Sequence, residues 1–393
     1  MLNKRRAILF LLALAVTGFF LWIFGGKLVG NWPEVRKAFA DGEWFWLAPA
    51  TVMILLVFVL KGFRWQIIMN PLAKPGYWPL FSATSIGFMA NCILPLRLGE
   101  IIRPGVLGVK YGVSTSGALA TVVVERLFDM VGIVVVSMAG VAWLLVRRRG
   151  GPMGSGNIAL AVVLAAVAII AIGFLIMLRV RPHWARAVAI IAIAIGFLVM
   201  LWARRAALLL LRWVPSSLRR RGEAVLDSFI SGLTVLRRRG EAVLDSFISG
   251  LTVIGSWKQW SAVLLLSILH WIMMGTMVYL TSLCFLHQTF IADTGQPQQF
   301  DLGIFGAFLV QAFQAPAVSI PQLPGFFGTH QMATTAASEV IFGAGAAGIA
   351  GAYAVVLWCV SILPVILLGF ICLWFEGLSM RQVREMAGRP AER

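Results

Sequence analysis

Long apolar runs separated by short polar intervals dominate the chain, and their lengths suit helices that enter a bilayer. Residues 7–25, 44–63, 158–178, 186–202 and 261–286 each hold a stretch that a hydrocarbon core of ~30 Å accommodates as one helix. Two runs are shorter and end at proline: 80–96, closed by Pro95, and 302–320, broken at Pro316 and closed by Pro321. Either could just cross the membrane or enter and turn back. Two are longer, 116–146 and 346–375. As a helix the first would extend roughly 46 Å, about half again the hydrocarbon thickness, so one end projects or the helix tilts. The pattern predicts an all-α polytopic membrane protein of about seven to nine segments, with broken or re-entrant helices and an inverted pseudo-repeat as an option.

The polar intervals orient these runs. Lys4, Arg5 and Arg6 precede the first, which is long for a signal peptide and lacks a small-residue cleavage site, so an uncleaved helix with a cytoplasmic N-terminus is expected. Charges between residues 26 and 43 nearly cancel, as in an external loop. Trp44 and Trp46 then mark one interface of the second run and Lys61 and Arg64 the other. Arg381 and Arg384 place the C-terminus in the cytoplasm as well. Three divisions follow: a first membrane group (1–202), a basic cytoplasmic segment (203–256) and a second membrane group (257–393).

Charge modifies this picture little. The chain is 60% hydrophobic and 12% charged with a formal net charge of +17, which in a soluble protein would point to nucleic acid. Here most Lys and Arg flank apolar runs, so the expected partners are membrane lipid and an anionic bilayer surface, without nucleic acid. The setting is the bacterial inner (cytoplasmic) membrane. Cys92, Cys284, Cys359 and Cys372 lie inside apolar segments without metal-ligand or disulfide spacing.

The segment 203–256 contains a tandem duplication: Arg219–Leu236 recurs as Arg237–Ile254 with one conservative difference. A period of 18 residues is a whole number of helical turns, so duplication lengthens a helix by about 27 Å without rotating its apolar face. The segment reads either as an amphipathic helix on the cytoplasmic surface or as a tolerated insertion in a linker. Runs 158–178 and 186–202 carry no internal charge and read as scaffold.

The costly part of the chain is Asn91 to Asp129, where Pro95, Arg97, Gly99, Glu100, Arg103, Glu125, Arg126 and Asp129 are set between apolar runs. Ionisable groups at membrane depth cost several kcal/mol unless they face protein or water, and function is the default explanation. Residues 97–115 look broken by Gly99, Pro104, Gly105, Gly108 and Gly112. The long 116–146 run leaves Glu125 and Arg126 either at the interface or mid-bilayer, and the interface is cheaper. A second break, Pro321, Pro324, Gly325 and Gly328 followed by His330 and Gln331, mirrors the first. Paired breaks of this kind point to a transport site between repeats. Arg97 and Arg103 suit an anionic group such as a lipid phosphate, and Glu100 could hold one of them when the site is empty. Glu125 and Asp129 share a helix face and require cations, with Arg126, Arg97 and Arg103 as candidates. An ion-pair cluster that merely fastens two helices is the alternative. Asn91 is placed to cap or bond within the break, and His270 to pack through a hydrogen bond. No catalytic or phosphate-loop motif occurs, and neither cofactor nor metal is expected.

At Asn91–Glu100, with its L-P-x-R-x-G-E pattern, at Glu125-Arg126-Leu127-Phe128-Asp129 and at Pro321–Gly328, the chain resembles the transmembrane region of lysylphosphatidylglycerol synthases, a family of flippase-like integral membrane proteins. Where the family commonly carries an acidic residue after the second break, this sequence has Gln331, and the basic duplication is unlike the family pattern. The resemblance implies movement of a lipid or lipid-linked head group between leaflets. It also implies a free-standing member without the aminoacyl-transferring domain, since Arg393 follows soon after the last run. The alternative is an intramembrane enzyme or accessory subunit acting on a lipid-linked substrate. On the flippase reading, Arg97→Ala or Glu100→Ala abolishes head-group transfer in reconstituted vesicles while the protein still inserts. Normal transfer by both variants would remove the cluster from the mechanism.

Overall fold

A computed structural model describes residues 18–94, 98–147, 256–292, 295–318 and 324–386. Pro95, Arg97 and Pro321, the runs 158–178 and 186–202 and the duplication at 219–254 lie outside the described residues.

The first half begins with α1 (Gly18–Gly30) and α2 (Trp32–Ala40), followed by α3 (Leu47–Met69), α4 (Tyr77–Ile93), α5 (Gly99–Tyr111) and α6 (Thr115–Arg147). The second runs through α7 (Trp257–Ser282), α8 (Gly303–Ala317), α9 (Thr329–Phe342), α10 (Ala347–Phe375) and α11 (Met380–Met386). Among the described residues four helical stretches are long and apolar enough to cross a membrane: Trp44–Met69, Thr115–Val146, Trp257–Phe285 and Ala344–Phe375. The chain is therefore an integral membrane protein built mainly of helices. A small antiparallel hairpin, β1 (Thr289–Ile291) and β2 (Pro297–Gln299), qualifies the all-α expectation. It occupies the polar interval after α7, where the unfavourable helix chemistry of Gly295 and Pro297 leaves strand pairing available.

Both short runs turn back. Gly99 lies against Gly87 and Asn91, and Arg103 reaches Thr84, so α4 and α5 form an antiparallel helical hairpin. Gln314 bonds His330 and Thr334 while Gly306 approaches Ile341, which makes α8 and α9 a second one. Helices of these lengths extend only about 20–26 Å, short of a full crossing. Residues 99–111, expected as a broken loop, are helical. Pro104 is accommodated inside α5, and the glycines fit close contacts, with only Gly112, at φ 67°, ending the helix in the left-handed region.

The two halves repeat this order of long helix, hairpin, long helix. Helix α4 packs on α10 as α8 packs on α6, and α3 packs on α7. Gly369 of α10 receives Ser85 and Met89, while Gly140 of α6 receives Phe305 and Leu309, the same i, i+4 pair on the equivalent hairpin arm. The α3/α7 pair runs antiparallel: Glu43 N–H donates to the Cys284 carbonyl (2.9 Å) near one end, and Arg64 meets Ser267 (3.0 Å) near the other. Of the corresponding elements, α3 and α7 thus point in opposite directions.

The core lies between the halves and includes Val57, Phe58, Met277, Phe285, Phe300, Tyr353 and Leu357. A second cluster, with Trp65, Ile86, Ile102, Val106 and Phe128, seats the first hairpin. A Cβ on Gly99 would overlap the Gly87 carbonyl oxygen, whereas at Gly25 nothing lies within 4 Å. Gly99→Ala is expected to cost about 1–3 kcal/mol through forced separation of α4 and α5. It should therefore lower the thermal unfolding midpoint in detergent, with Gly25→Ala neutral or stabilising. Equal midpoints for the two variants would argue against the close approach.

Candidate functional site

Arg64 is the centre of the charged cluster. Its side chain is fully buried, with Nη2 2.6 Å from Glu125 Oε1, Nη1 2.5 Å from Asp129 Oδ1, and Nη1 also 3.0 Å from Ser267 Oγ. Helix α6 supplies the carboxylates one turn apart, and α3 supplies the cation that makes their proximity tolerable. Arg103 Nη2, from α5, forms an ion pair with Glu125 Oε2 at 3.0 Å and donates to Thr84 Oγ1 at 3.1 Å. Its guanidinium lies 4.2 Å from the Trp65 ring centroid.

The remaining sequence candidates divide. Glu100 pairs with Arg126, and Arg126 also approaches Asp129 Oδ2 at 3.5 Å. Glu100 was expected to hold either Arg97 or Arg103; Arg103 is held by Glu125, and Arg97 lies outside the described residues. Asn91 closes the first break by accepting a bond from Gly99 N–H at 2.8 Å. At the second break, Gly325 and Gly328 have φ of 81° and 96°, as turn glycines do, and Gly325 C=O accepts from Trp358 Nε1 at 2.6 Å. Gln331 is buried and its Oε1 accepts from Gly328 N–H at 2.7 Å, capping α9. Pro324 opens the short 3-10 turn Pro324–Phe326.

Lys61 and Arg64 were expected at an interface. The structure buries both, because α3 continues past them to Met69 and the acidic face of α6 stands opposite. The signal available in the sequence was two cations three residues apart on an apolar helix, matched by two carboxylates four apart on another. Periodicity does not pair them. Depth changes too. Counted along the helices, Glu125 lies about 9 Å from the midpoint of α6 and Arg64 about 11 Å from that of the 44–69 span. Burial in protein removes the penalty that favoured the interface: Glu125 is 1% exposed.

A cavity of about 210 Å³ adjoins the cluster. Its wall combines Lys61, Arg126 and Asp129 with apolar Ile54, Val57 and Phe58, and it reaches Ser361 near the middle of α10. Lys61 is 5% exposed and lies over the Phe88 ring at 4.6 Å, and among the described residues no carboxylate stands within ion-pair distance of its ammonium. Lys61, Arg64, Arg103 and Arg126 face Glu100, Glu125 and Asp129, so four cations meet three anions. The unmatched positive charge belongs to the cavity wall. His330 lines the same cavity, and His270, expected only to pack, lines it as well. Among the described residues no group of three or more His, Cys, Asp or Glu is arranged to hold a metal ion.

Two ties flank this centre at opposite ends of α10. At its C-terminal end Tyr111 O–H donates to both Glu376 carboxylate oxygens at 2.9 Å, and Lys110 Nζ donates to the Glu376 carbonyl at 2.6 Å. Burial, then the neighbouring carboxylate, pushes the Tyr111 hydroxyl up to about 12, so it remains a donor at neutral pH. At the other end Lys27 of α1 binds Glu339 of α9 at 2.6 Å.

Among known proteins, the glycosyltransferase AglD of Haloferax volcanii is 27% identical over 121 residues, a match covering 30% of this chain and 19% of that relative. The chain therefore spans less than a fifth of that relative's length. No solved structure matches it. The family model described as the lysylphosphatidylglycerol synthase TM region matches residues 10–369, through both hairpins and all four long helices almost to the end of α10, and the chain belongs to that family.

Proposed function

We propose that this protein translocates an anionic lipid, or a lipid-linked head group, between the leaflets of the bacterial inner membrane, with both termini cytoplasmic. The observation that carries the reading is Lys61: a buried ammonium on a cavity wall, with no carboxylate at ion-pair distance among the described residues, in the middle of a helical bundle. Such a charge is expensive unless an anion arrives to match it. A lipid phosphate does so, with Arg126 on the same wall and the acyl chains left in the bilayer. Glu125 and Asp129 are each ion-paired with two arginines and serve as the frame that holds those cations.

The inverted repeat supplies the means of access. The α4–α5 and α8–α9 hairpins are the re-entrant arms of a protein with seven to nine membrane segments. The tie at Glu376 and the tie at Glu339 close opposite ends of the bundle, and opening one while the other holds would expose the cavity to one side at a time. Asn91, Glu100, Arg103, His330 and Gln331 belong to the arms and shape the path of the head group, and Arg97, outside the described residues, is assigned the same role.

The partial match to a glycosyltransferase favours a second reading, a membrane subunit serving an enzyme that acts on a lipid-linked substrate. Covalent product formed by the purified protein from a lipid-linked sugar would support it over translocation.

Lys61→Met is expected to preserve folding, because it removes an unpaired charge, and to lower leaflet transfer of a fluorescent phosphatidylglycerol in vesicles at least about tenfold, with partial rescue by Lys61→Arg. Wild-type rates for Lys61→Met would sink the reading. Arg64→Met should instead destabilise the protein by about 3–5 kcal/mol, since it leaves Glu125 and Asp129 facing each other without their shared cation. Unfolding midpoints in detergent measure the contrast. A mild effect at Arg64 together with a severe one at Lys61 would reverse the roles assigned here.

A further inference from the structure

The partner that the structure gives Lys61 is an aromatic ring. Its Nζ lies 4.6 Å from the ring centroid of Phe88, a half-buried residue of α4 that lines the same cavity. Phe58, one turn before Lys61 on α3, meets that ring nearly edge to face, at 5.3 Å and 85°. The ring is therefore seated on the face of α3 that carries the ammonium. On α4 the same face holds Thr84, one turn before Phe88, and Asn91, one turn after it. Thr84 accepts from Arg103 and Asn91 from Gly99 N–H, so Phe88 stands where the first hairpin meets α3 and the charge cluster.

Two further cations approach the ring, the Arg126 guanidinium at 5.6 Å and that of Arg103 at 5.7 Å. Both lie near the ~6 Å limit of a useful cation–π contact. Both also have stronger company. Arg126 pairs with Glu100 and Asp129, while Arg103 pairs with Glu125 and lies over the Trp65 ring at 4.2 Å. Lys61 has no carboxylate at ion-pair distance among the described residues, so the ring matters most to it. A carboxylate in the ring's place would neutralise the ammonium and would have to be displaced before an anion could bind. A ring face attracts a cation through its quadrupole but carries no net charge. The ammonium is held and keeps its full charge for the cavity.

We infer that Phe88 is the positioning residue of the cavity: its ring stands where a counter-ion would, and holds the Lys61 ammonium on the wall with its charge unneutralised. Lysine is a point charge on a flexible stem, and Asp129, held by Arg64 one turn further along α3, shares the wall with it. Without the ring the ammonium collapses toward that carboxylate, and the positive end of the cavity is lost. The sequence conceals this role, because a phenylalanine in an apolar helix reads as packing. The contact between Phe88 and Lys61 is independent of what the cavity binds. Its effect on ligand affinity rests on the reading of Lys61 as the group that meets an anion.

Mono-, di- and trifluorophenylalanine in place of Phe88 test both parts, because fluorine withdraws electron density from the ring face while nearly preserving its volume. For the full chain in detergent, the unfolding midpoint should fall stepwise along the series. In a Lys61→Met background, where only the two arginines face the ring, that slope should shrink to at most about a third. Equal slopes in the two backgrounds overturn the assignment, since a ring that merely packs, or serves the arginines alone, does not sense Lys61. Affinity for phosphatidylglycerol, measured in nanodiscs of phosphatidylcholine, should drop roughly fivefold from the phenylalanine to the trifluoro ring and stay flat along the series in Lys61→Met. A midpoint slope that depends on Lys61, with lipid affinity constant, keeps the contact and overturns the positioning role. Wild-type affinity in Lys61→Met overturns the anion reading, and the positioning role with it, while the midpoints still decide the contact. Phe88→Leu, apolar but without a ring, should match the trifluoro protein in affinity, and wild-type affinity there overturns the role. The nearly isosteric fluorinated rings keep the comparison decisive where Phe88→Leu fails to fold.

Discussion

A single guanidinium holds the first half of the bundle together. Arg64 binds carboxylates on α6 and a hydroxyl on α7, and Glu125 passes the connection to Arg103 on α5, which bonds Thr84 on α4. Five helices therefore share one chain of charge-assisted bonds in a dry environment. Such bonds are strong only at correct geometry, and an uncompensated buried charge is severely unfavourable, so the network fixes helix register more firmly than apolar packing does. Lys61 precedes Arg64 by three residues on α3. Once Arg64 is fixed, Lys61 has no freedom to retreat to water, and its charge is delivered to the cavity.

Much of this frame was legible in the sequence because its parts are improbable in lipid. Glu100, Glu125, Arg126 and Asp129 stood out for that reason, and four of them with Arg103 do converge. The short, proline-ended runs each form one arm of a helical hairpin. Arg64 was hidden by a different logic: a cation at the end of an apolar run is ordinarily an interfacial anchor, and nothing local announces carboxylates 61 and 65 residues later. The glycines around Gly99 misled in the same way. They look like helix breakers, yet Gly87 and Gly99 permit backbones to touch, and Gly108 sits against Thr115 inside an intact helix.

Polar residues on α8 were visible but carried no motif. Gln311 and Gln314 are ordinary insertions in an apolar run until the hairpin turns and brings His330 and Thr334 opposite. Their meaning depends on tertiary placement, and a buried amide lacking partners is a property of packing that sequence spacing does not encode.

The matching element order of the two halves sharpens that contrast. Asn91 follows Ser85 by six residues, as Gln311 follows Phe305, and Ser85 and Phe305 meet equivalent glycines on α10 and α6. The two amides therefore occupy corresponding places, one satisfied by the Gly99 N–H and the other unpaired. Likewise Glu100 and His330 are each the second residue of a returning arm, one bound to Arg126 and the other presenting a neutral ring to the cavity. Asymmetric side chains, charged in one half and neutral in the other, make the cavity itself directional.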